Sequence, residues 1–532
     1  MNLHGKNFIG DRLSPGAGET FHASNPDDRS RLPPEFHAAD ERDVNAAMQL
    51  AEAAFDIFRE TTGEKRAIFL ERIVEEIMAL GDELISRAGD ETGLLEARLV
   101  GERARTVNQL KMFAQVIREG IWVDARIDTA IPGRQPLPKP DLRRMLIPIG
   151  PVIVFGSSNF PFAYSVAGGD TASALAVGNP VVVKAHERHP GTSELTAVAI
   201  RRAVAACDLP AGVFSMLHGF GKTVGIALVK HPAAKAVGFT GSLAAGRALF
   251  DAASARPEPI PVFAEMSSLN PVFILPGALR ERGNQIAEGL KNSVTTGAGQ
   301  FCTKPGLVFG LQNVAFEQFQ QTLGQLLENV APATMLHGGI CESYHKGLAR
   351  VSGACGVELL GRSKDDPEPA RTQAEAVLIR TDAQNFQSNP EFSREVFGPF
   401  SILISAQTIS ELEDIAKNLE GQLTAAVHGT PDDLKDAERL LQILERKAGR
   451  LIINGFPTGV EVCPSMNHGG PYPATTDMRF TSVGTAALQR FVRPICYQNF
   501  PEPLLPAALQ NKNPLNILRL LNGKLTEDAV ND

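Results

Sequence analysis

Between residues 40 and 85 the apolar positions keep the period of an amphipathic helix. Val44, Met48, Ala51, Phe55 and Phe58 follow one another by three or four residues, which places them on one face. Asp40 stands where an N-cap is expected, and Thr61 with Glu64 has the form of a capping box for a second helix. That second helix is predicted to bury Phe69, Ile73, Ile77, Leu80 and Leu84. The first 40 residues are rich in Gly, Pro, Asn and Asp and read as loops with short strands. Residues 124–142 hold four prolines and no period, and are expected as a connector or extended arm.

After Gly150 the pattern changes to short β-branched runs at 151–155, 180–183, 213–217, 235–239 and 261–264. Helical stretches lie between them, for example at 192–207 and 242–255. Strands alternating with helices at this spacing predict a parallel sheet covered on both faces. A second alternation, through 271–275, 307–311, 400–404 and 450–454, predicts a second α/β domain. A short helical pattern is expected at 515–521 in the proline-rich tail. Ligands of open α/β sheets bind at the C-terminal ends of strands, so the candidate chemistry is sought there.

Composition narrows the class. A chain of 532 residues, 43% hydrophobic and 21% charged, is that of a soluble globular protein of two to four domains. A net charge of −8 gives no reason to expect nucleic acid or an anionic membrane as partner. The longest apolar run, 145–156, is broken by proline and glycine and falls short of the roughly 20 residues of a membrane helix. The N-terminus carries no apolar targeting core, which makes a cytoplasmic location the expectation. Six cysteines lie far apart, with no C-x-x-C spacing and no histidine cluster, so no metal site is expected.

Several strand ends carry reactive side chains. Cys302 follows the glycine-rich turn Gly297-Ala-Gly-Gln-Phe, which fits an exposed nucleophile or a buried structural thiol. Glu265 ends a hydrophobic strand, as a helix cap or a general base. Asn159 is a turn asparagine or an oxyanion donor. Lys184 also ends a strand, where an ammonium meets ribose or phosphate, or solvent. Gly219-Phe-Gly221-Lys222-Thr-Val-Gly225 is one residue longer than the Rossmann fingerprint and weak by itself.

Five motifs in one order carry a resemblance: the Asn159 turn; Lys184; Phe239-Thr-Gly241-Ser242 followed by Glu265; Gly299-Gln-Phe-Cys302; and Glu395-Val-Phe397-Gly-Pro399. From about residue 20 to about residue 495 the chain resembles the aldehyde dehydrogenase superfamily. The resemblance implies an α/β fold with two doubly wound parallel-sheet domains, for coenzyme and catalysis, and a small bridging β-sheet. It implies a coenzyme domain of 1–133 and 151–272, a catalytic domain of 273–483, bridging strands in 134–150 and 484–498, and an extension of 499–532. Cys302 would attack the aldehyde, Asn159 and the Cys302 N–H would hold the oxyanion, and Glu265 would activate the water that releases the acid. Lys184, Glu187, Gly221, Lys222, Gly225, Gly241, Ser242, Glu395 and Phe397 would meet the coenzyme. Edge pairing of bridging strands would make a homodimer or homotetramer.

The segments Glu265-Met-Ser-Ser268 and Asn467–Asp477 depart from the common pattern. They resemble a branch holding 2,5-dioxopentanoate (α-ketoglutarate semialdehyde) dehydrogenases and NADP-dependent fatty aldehyde dehydrogenases. The substrate expected is 2,5-dioxopentanoate, with a medium- or long-chain aldehyde as the alternative. A CoA-acylating relative would not need Glu265, and an inactive binding protein would not need the full catalytic set. Glu187 favours NAD, Lys222 favours NADP, and the balance falls slightly to NADP with NAD also used. Arg479 is the candidate for a substrate carboxylate, and Phe160, Phe162 and Phe456 are candidates for the tunnel wall.

Overall fold

The five runs after Gly150 form parallel strands of one sheet. A computed structural model describes residues 2–530; Met1 and the last two residues of the expected extension lie outside them. The strand order is Val262–Glu265, Ala236–Thr240, Val152–Phe155, Val181–Lys184 and Phe214–Leu217, with Asn7–Ile9 and Arg12–Ser14 added antiparallel. Alternate residues face two separate cores. Val152, Val154, Val181 and Val183 join one, while Ile153, Phe155 and Val182 join the other. Burial on both faces explains why these strands read as unbroken apolar runs. The strand order reverses between Val152–Phe155 and Ala236–Thr240, and a crevice opens there at the C-terminal ends.

The second sheet runs Glu358–Arg362, Val377–Asp382, Phe400–Ala406, Leu307–Leu311, Val272–Ile274, Gln422–His428 and Ala448–Ile453. All neighbours are parallel except the Glu358–Arg362 pairing. Phe273 and Phe309 fill one face, and Val272, Ile274 and Val308 fill the other. A third sheet joins Val492–Gln498, Leu142–Pro148, Arg126–Asp128, Arg519–Leu521 and Lys524–Thr526. The architecture is α/β, with two doubly wound parallel sheets and a smaller bridging sheet.

Four local expectations change. The cap of helix Gly63–Ala79 is Thr62, whose oxygen accepts from the Lys65 N–H; Thr61 instead donates to the Phe58 carbonyl. That helix stops before Leu84, because Gly81 sits at φ +58° and a new helix, Gly81–Thr92, begins there. The third sheet begins at Arg126–Asp128, inside the stretch given to the coenzyme domain, whereas 134–141 is connector. The tail pattern at 515–521 is not helical. Asn522 and Gly523 both have positive φ and turn Arg519–Leu521 back onto Lys524–Thr526 as a hairpin.

Candidate active site

Cys302 hangs from a turn that only small residues can form. Gly297, Ala298 and Gly299 all lie in the left-handed region, at φ +58°, +54° and +65°. A Cβ on Gly299 would stand 2.3 Å from the Gly398 carbonyl oxygen, so two loops approach here backbone to backbone. Asn270 holds the next residues, its Nδ2–H donating to the carbonyls of Cys302 at 2.8 Å and Lys304 at 3.1 Å. Its Oδ1 accepts from Ser268 and Thr424, both at 2.9 Å. Ser268, a departure from the family pattern, thus steadies the nucleophile loop.

Glu265 ends the edge strand Val262–Glu265 and is buried. His468 joins it to the thiol. The His468 Nε2 lies 3.0 Å from Glu265 Oε1 and 3.5 Å from Cys302 Sγ. The sulfur, nitrogen and carboxylate oxygen are all within 4.8 Å of one another. Ser482 Oγ donates to the other oxygen of Glu265 at 3.0 Å. Burial pushes the Cys302 thiol pKa well up, and the Glu265 carboxylate adds to that shift. Burial also works to raise Glu265, but electrostatic attraction to His468 and the hydrogen bonds from His468, Ser482 and Cys302 outweigh it and leave Glu265 below its ordinary value. The resting pair is therefore a thiol beside an ionised carboxylate, with an imidazole touching both. That is the arrangement of a base-activated nucleophile.

Asn159 follows Val152–Phe155 and its Nδ2–H donates to the Gln300 carbonyl at 3.1 Å, which sets the amide beside the cysteine loop. Glu102 fixes the rest of the Asn159 loop by accepting the backbone N–H groups of Phe162 and Ala163, each at 2.9 Å.

Two cavities meet at Cys302. One, of about 410 Å³, is lined by Asn159, Lys184, Glu187, Gly221, Gly241, Ser242, Glu395 and Phe397. It lies in the crevice where strand order reverses. Ser242 caps the helix Leu243–Ser254, whose N-terminus opens into this space and suits a phosphate. Lys184 Nζ is 2.6 Å from Glu187 Oε2. Burial opposes the charge on Glu187, yet His186 and Lys184 hold its pKa down to about 2. Ser267, the other departure beside Glu265, donates to Glu395 Oε2 at 2.7 Å. Buried Lys304 donates to the Val396 and Phe400 carbonyls and frames the Glu395 loop. The cavity's helix end and paired ionic side chains fit a nicotinamide dinucleotide. Two expected coenzyme residues are not on its wall. Lys222 is exposed in the first half of the turn Gly221–Gly225, and Gly225 is packed under Phe155, whose ring would be 2.7 Å from a Cβ.

The other cavity, of about 590 Å³, is lined by Arg98, Arg105, Phe160, Tyr164, Phe301 and Arg450 among others. Of the sequence candidates for substrate only Phe160 lies on it. Phe162 belongs to the coenzyme-domain core, and Phe456 packs against His428. Arg479 is 76% exposed and paired with Asp477 at 2.6 Å, because an acid two residues away satisfies it locally. Arg98 pairs with Glu102 at 2.5 Å. Among the described residues Arg105 donates only to the Val460 carbonyl and the Tyr164 hydroxyl, and Arg450 only to the Pro457 and Gly459 carbonyls and the Met466 sulfur. Arg105 Nη1 and Arg450 Nε are buried without a partner among the described residues. Sequence reasoning missed His468, Arg105 and Arg450. Arg98, Glu102 and Arg105, at i, i+4 and i+7 on helix Glu96–Glu119, were legible as one polar face.

Among the described residues no helix is long and apolar enough to cross a membrane. Comparisons agree with the geometry. Residues 14–339 match the model of the aldehyde dehydrogenase family. The chain is 51% identical over 527 residues to an α-ketoglutaric semialdehyde dehydrogenase 2 from Azospirillum brasilense, covering 98% of this chain and 100% of the relative. It is 46% identical to an α-ketoglutaric semialdehyde dehydrogenase from Acinetobacter baylyi, covering 99% of each. In fold it is similar to a betaine aldehyde dehydrogenase from Staphylococcus aureus, with a TM-score of 0.79, 19% identity and coverage of 94% of this chain and 98% of that one. The chain belongs to the aldehyde dehydrogenase family.

Proposed function

We propose that the chain oxidises 2,5-dioxopentanoate to 2-oxoglutarate. The observation that carries this reading is the pair Arg105 and Arg450, which face the substrate cavity without an ion-pair partner among the described residues. A guanidinium on a cavity wall with no carboxylate partner suits a substrate carboxylate, which it meets through two N–H groups. A fatty aldehyde would leave them unpaired. The names of the relatives at 51% and 46% identity support the same substrate.

Cys302 Sγ attacks the aldehyde carbon and its proton passes to the Glu265–His468 pair. The thiohemiacetal oxyanion is met by the second N–H of the Asn159 amide and by the Cys302 backbone N–H. Bound NAD(P) would supply the hydride acceptor, and loss of hydride from the thiohemiacetal would leave a thioester on Cys302. Glu265 then takes a proton from water, the water oxygen attacks the thioester, and the C–S bond breaks to release the acid. Lys184 and Glu395 would hold the ribose hydroxyls and Phe397 would pack by the nicotinamide.

Both coenzymes are proposed, without the sequence lean to NADP. Glu187 on the cavity wall favours NAD, while Lys222, exposed and next to Gly221 of the wall, would favour a 2′-phosphate by its charge. A homodimer or homotetramer is proposed from the end strands Val492–Gln498 and Ala448–Ile453, whose open edges suit pairing with another copy. Six free cysteines support a cytoplasmic setting.

The test is reduced-coenzyme formation by purified protein with 2,5-dioxopentanoate and with pentanal, each with NAD and NADP and with or without coenzyme A. The reading expects fast turnover of the keto acid without coenzyme A, abolished by Cys302→Ala. Preference for pentanal would overturn the substrate, and dependence on coenzyme A would overturn the hydrolytic step.

A further inference from the structure

The two donors proposed for the oxyanion hang from different sheets. Asn159 follows Val152–Phe155 of the first sheet, and Cys302 precedes Leu307–Leu311 of the second. A donor of this kind works only where its hydrogen is aimed, with its nitrogen about 2.7–3.1 Å from the developing charge. Each has an aromatic neighbour in the chain: Phe160 follows Asn159, and Phe301 precedes Cys302. The Cys302 N–H shares a peptide plane with the Phe301 carbonyl, so whatever fixes Phe301 aims that N–H. The carbonyl end of this plane accepts from the Lys304 N–H at 3.1 Å.

One side chain touches both neighbours. Arg98, on helix Glu96–Glu119, sets its guanidinium carbon 4.7 Å from the Phe160 ring centroid and 5.0 Å from that of Phe301. The two rings meet edge to face, with centroids 5.5 Å apart and planes at 90°. Arg98 Nη2 lies 3.5 Å from the Asn159 carbonyl oxygen. Its Nη1 donates to Glu102 Oε2 at 2.5 Å, while Glu102 Oε1 accepts the Phe162 and Ala163 N–H groups of the Asn159 loop. A planar cation suits this place, because it packs against aromatic rings and gives hydrogen bonds in its own plane. The Glu102 carboxylate balances its charge, which sets Arg98 apart from Arg105 and Arg450 on the same cavity wall.

We infer that Arg98 is the positioning residue of the oxyanion site: by bridging Phe160 and Phe301 it aims the Asn159 amide and the Cys302 N–H at one point. It acts through these neighbours and not on the reacting atoms, and no bond is made or broken at it. The inference rests on the oxyanion roles proposed above for Asn159 and the Cys302 N–H. Both chemical steps pass through an oxyanion, first in the thiohemiacetal and then in the adduct of water with the thioester. Misaimed donors therefore slow turnover of any aldehyde, whatever its tail carries.

The test is steady-state kinetics of Arg98 variants with 2,5-dioxopentanoate and with pentanal. Arg98→Met is expected to lower kcat about 10- to 100-fold on both aldehydes, the scale of a group displaced by ~1 Å, with a much smaller change in KM. Arg98→Lys keeps the charge without the plane and should stay slow. Arg98→Met leaves Glu102 buried without its cation, so the double variant Arg98→Met/Glu102→Gln is made beside it. Glutamine still accepts the loop N–H groups, and this variant should recover the wild-type Tm and remain slow. In an Asn159→Ala background Arg98→Met should cost clearly less than in the wild type, since both act on one site. Wild-type kcat in the double variant or in Arg98→Lys would overturn the assignment. So would a loss confined to 2,5-dioxopentanoate, a loss in KM alone, or equal losses with and without Asn159. Wild-type kcat in Asn159→Ala by itself would instead overturn the oxyanion role on which the inference rests.

Discussion

His468 Nε2 lies 3.0 Å from Glu265 Oε1, and this contact ties a residue from an irregular segment to the last residue of a sheet strand 203 positions earlier. The same nitrogen reaches the Cys302 sulfur at 3.5 Å. The imidazole therefore joins base and nucleophile, two groups whose ionisations oppose each other in a buried site.

Replacing His468 with Ala is expected to lower kcat by about 10²-fold or more, since a positioned proton carrier is lost. The pH dependence carries a sign. Glu265 works as the carboxylate, so activity is present above its pKa and is lost as pH falls through it. In the native site that pKa is held down against burial by His468 and Ser482. Without the imidazole, burial gains weight, the pKa rises, and the acid limb of the kcat profile moves to higher pH. An unmoved limb would show that His468 does not set the charge of Glu265.

Arg105→Met and Arg450→Met should each weaken kcat/KM for 2,5-dioxopentanoate by about 10- to 100-fold, the scale of a lost hydrogen bond to a charged group. Turnover of pentanal should be little changed or improved. A parallel loss on both aldehydes would mean that these arginines hold the cavity wall and not the substrate. Arg105 donates to the Tyr164 hydroxyl at 3.0 Å, so Tyr164→Phe serves as the control for wall packing.

The legible part of the molecule was local. Each β-branched run after Gly150 became a strand, because burial on both faces demands unbroken apolar residues. Gln422–His428 escaped notice because its two alanines and its polar ends dilute that signal, although every residue of it is buried. The Asn522-Gly523 turn, directly after the stretch 515–521 expected as helical, was a readable hairpin signal. Cys302, Glu265 and Asn159 were visible through their motifs, and the fold brings their loops together. His468 was not, since it lies 166 residues from Cys302 in a stretch without regular elements. Arg479 misled for the opposite reason. Its charge was plain in the sequence, and its neutralisation by Asp477 was not.

Glu187→Thr removes the carboxylate that pairs with Lys184 at 2.6 Å. The lysine is then free for a 2′-phosphate and the repulsion is gone. The NADP/NAD ratio of kcat/KM should rise about tenfold, equal to roughly 1.4 kcal/mol. An unchanged ratio would remove Glu187 from coenzyme choice.

Gly299→Ala places a Cβ 2.3 Å from the Gly398 carbonyl oxygen at a backbone φ of +65°. The left-handed conformation alone costs about 1–2 kcal/mol, and the clash adds to it. The variant should fold, with a lowered Tm, and lose most of its activity as the Cys302 loop and the Glu395 loop separate. Full activity would show that the close approach does not position the thiol.

The central claim is that Cys302 carries the keto acid as a thioester that Glu265 hydrolyses. Its most direct test is intact-protein mass spectrometry of Glu265→Gln after mixing with 2,5-dioxopentanoate and coenzyme. The account predicts one covalent adduct with the mass of the oxidised acyl group, mapped to Cys302, formed together with one equivalent of reduced coenzyme. Reduced coenzyme at wild-type steady-state rate with no adduct, or an adduct on another residue, would contradict it.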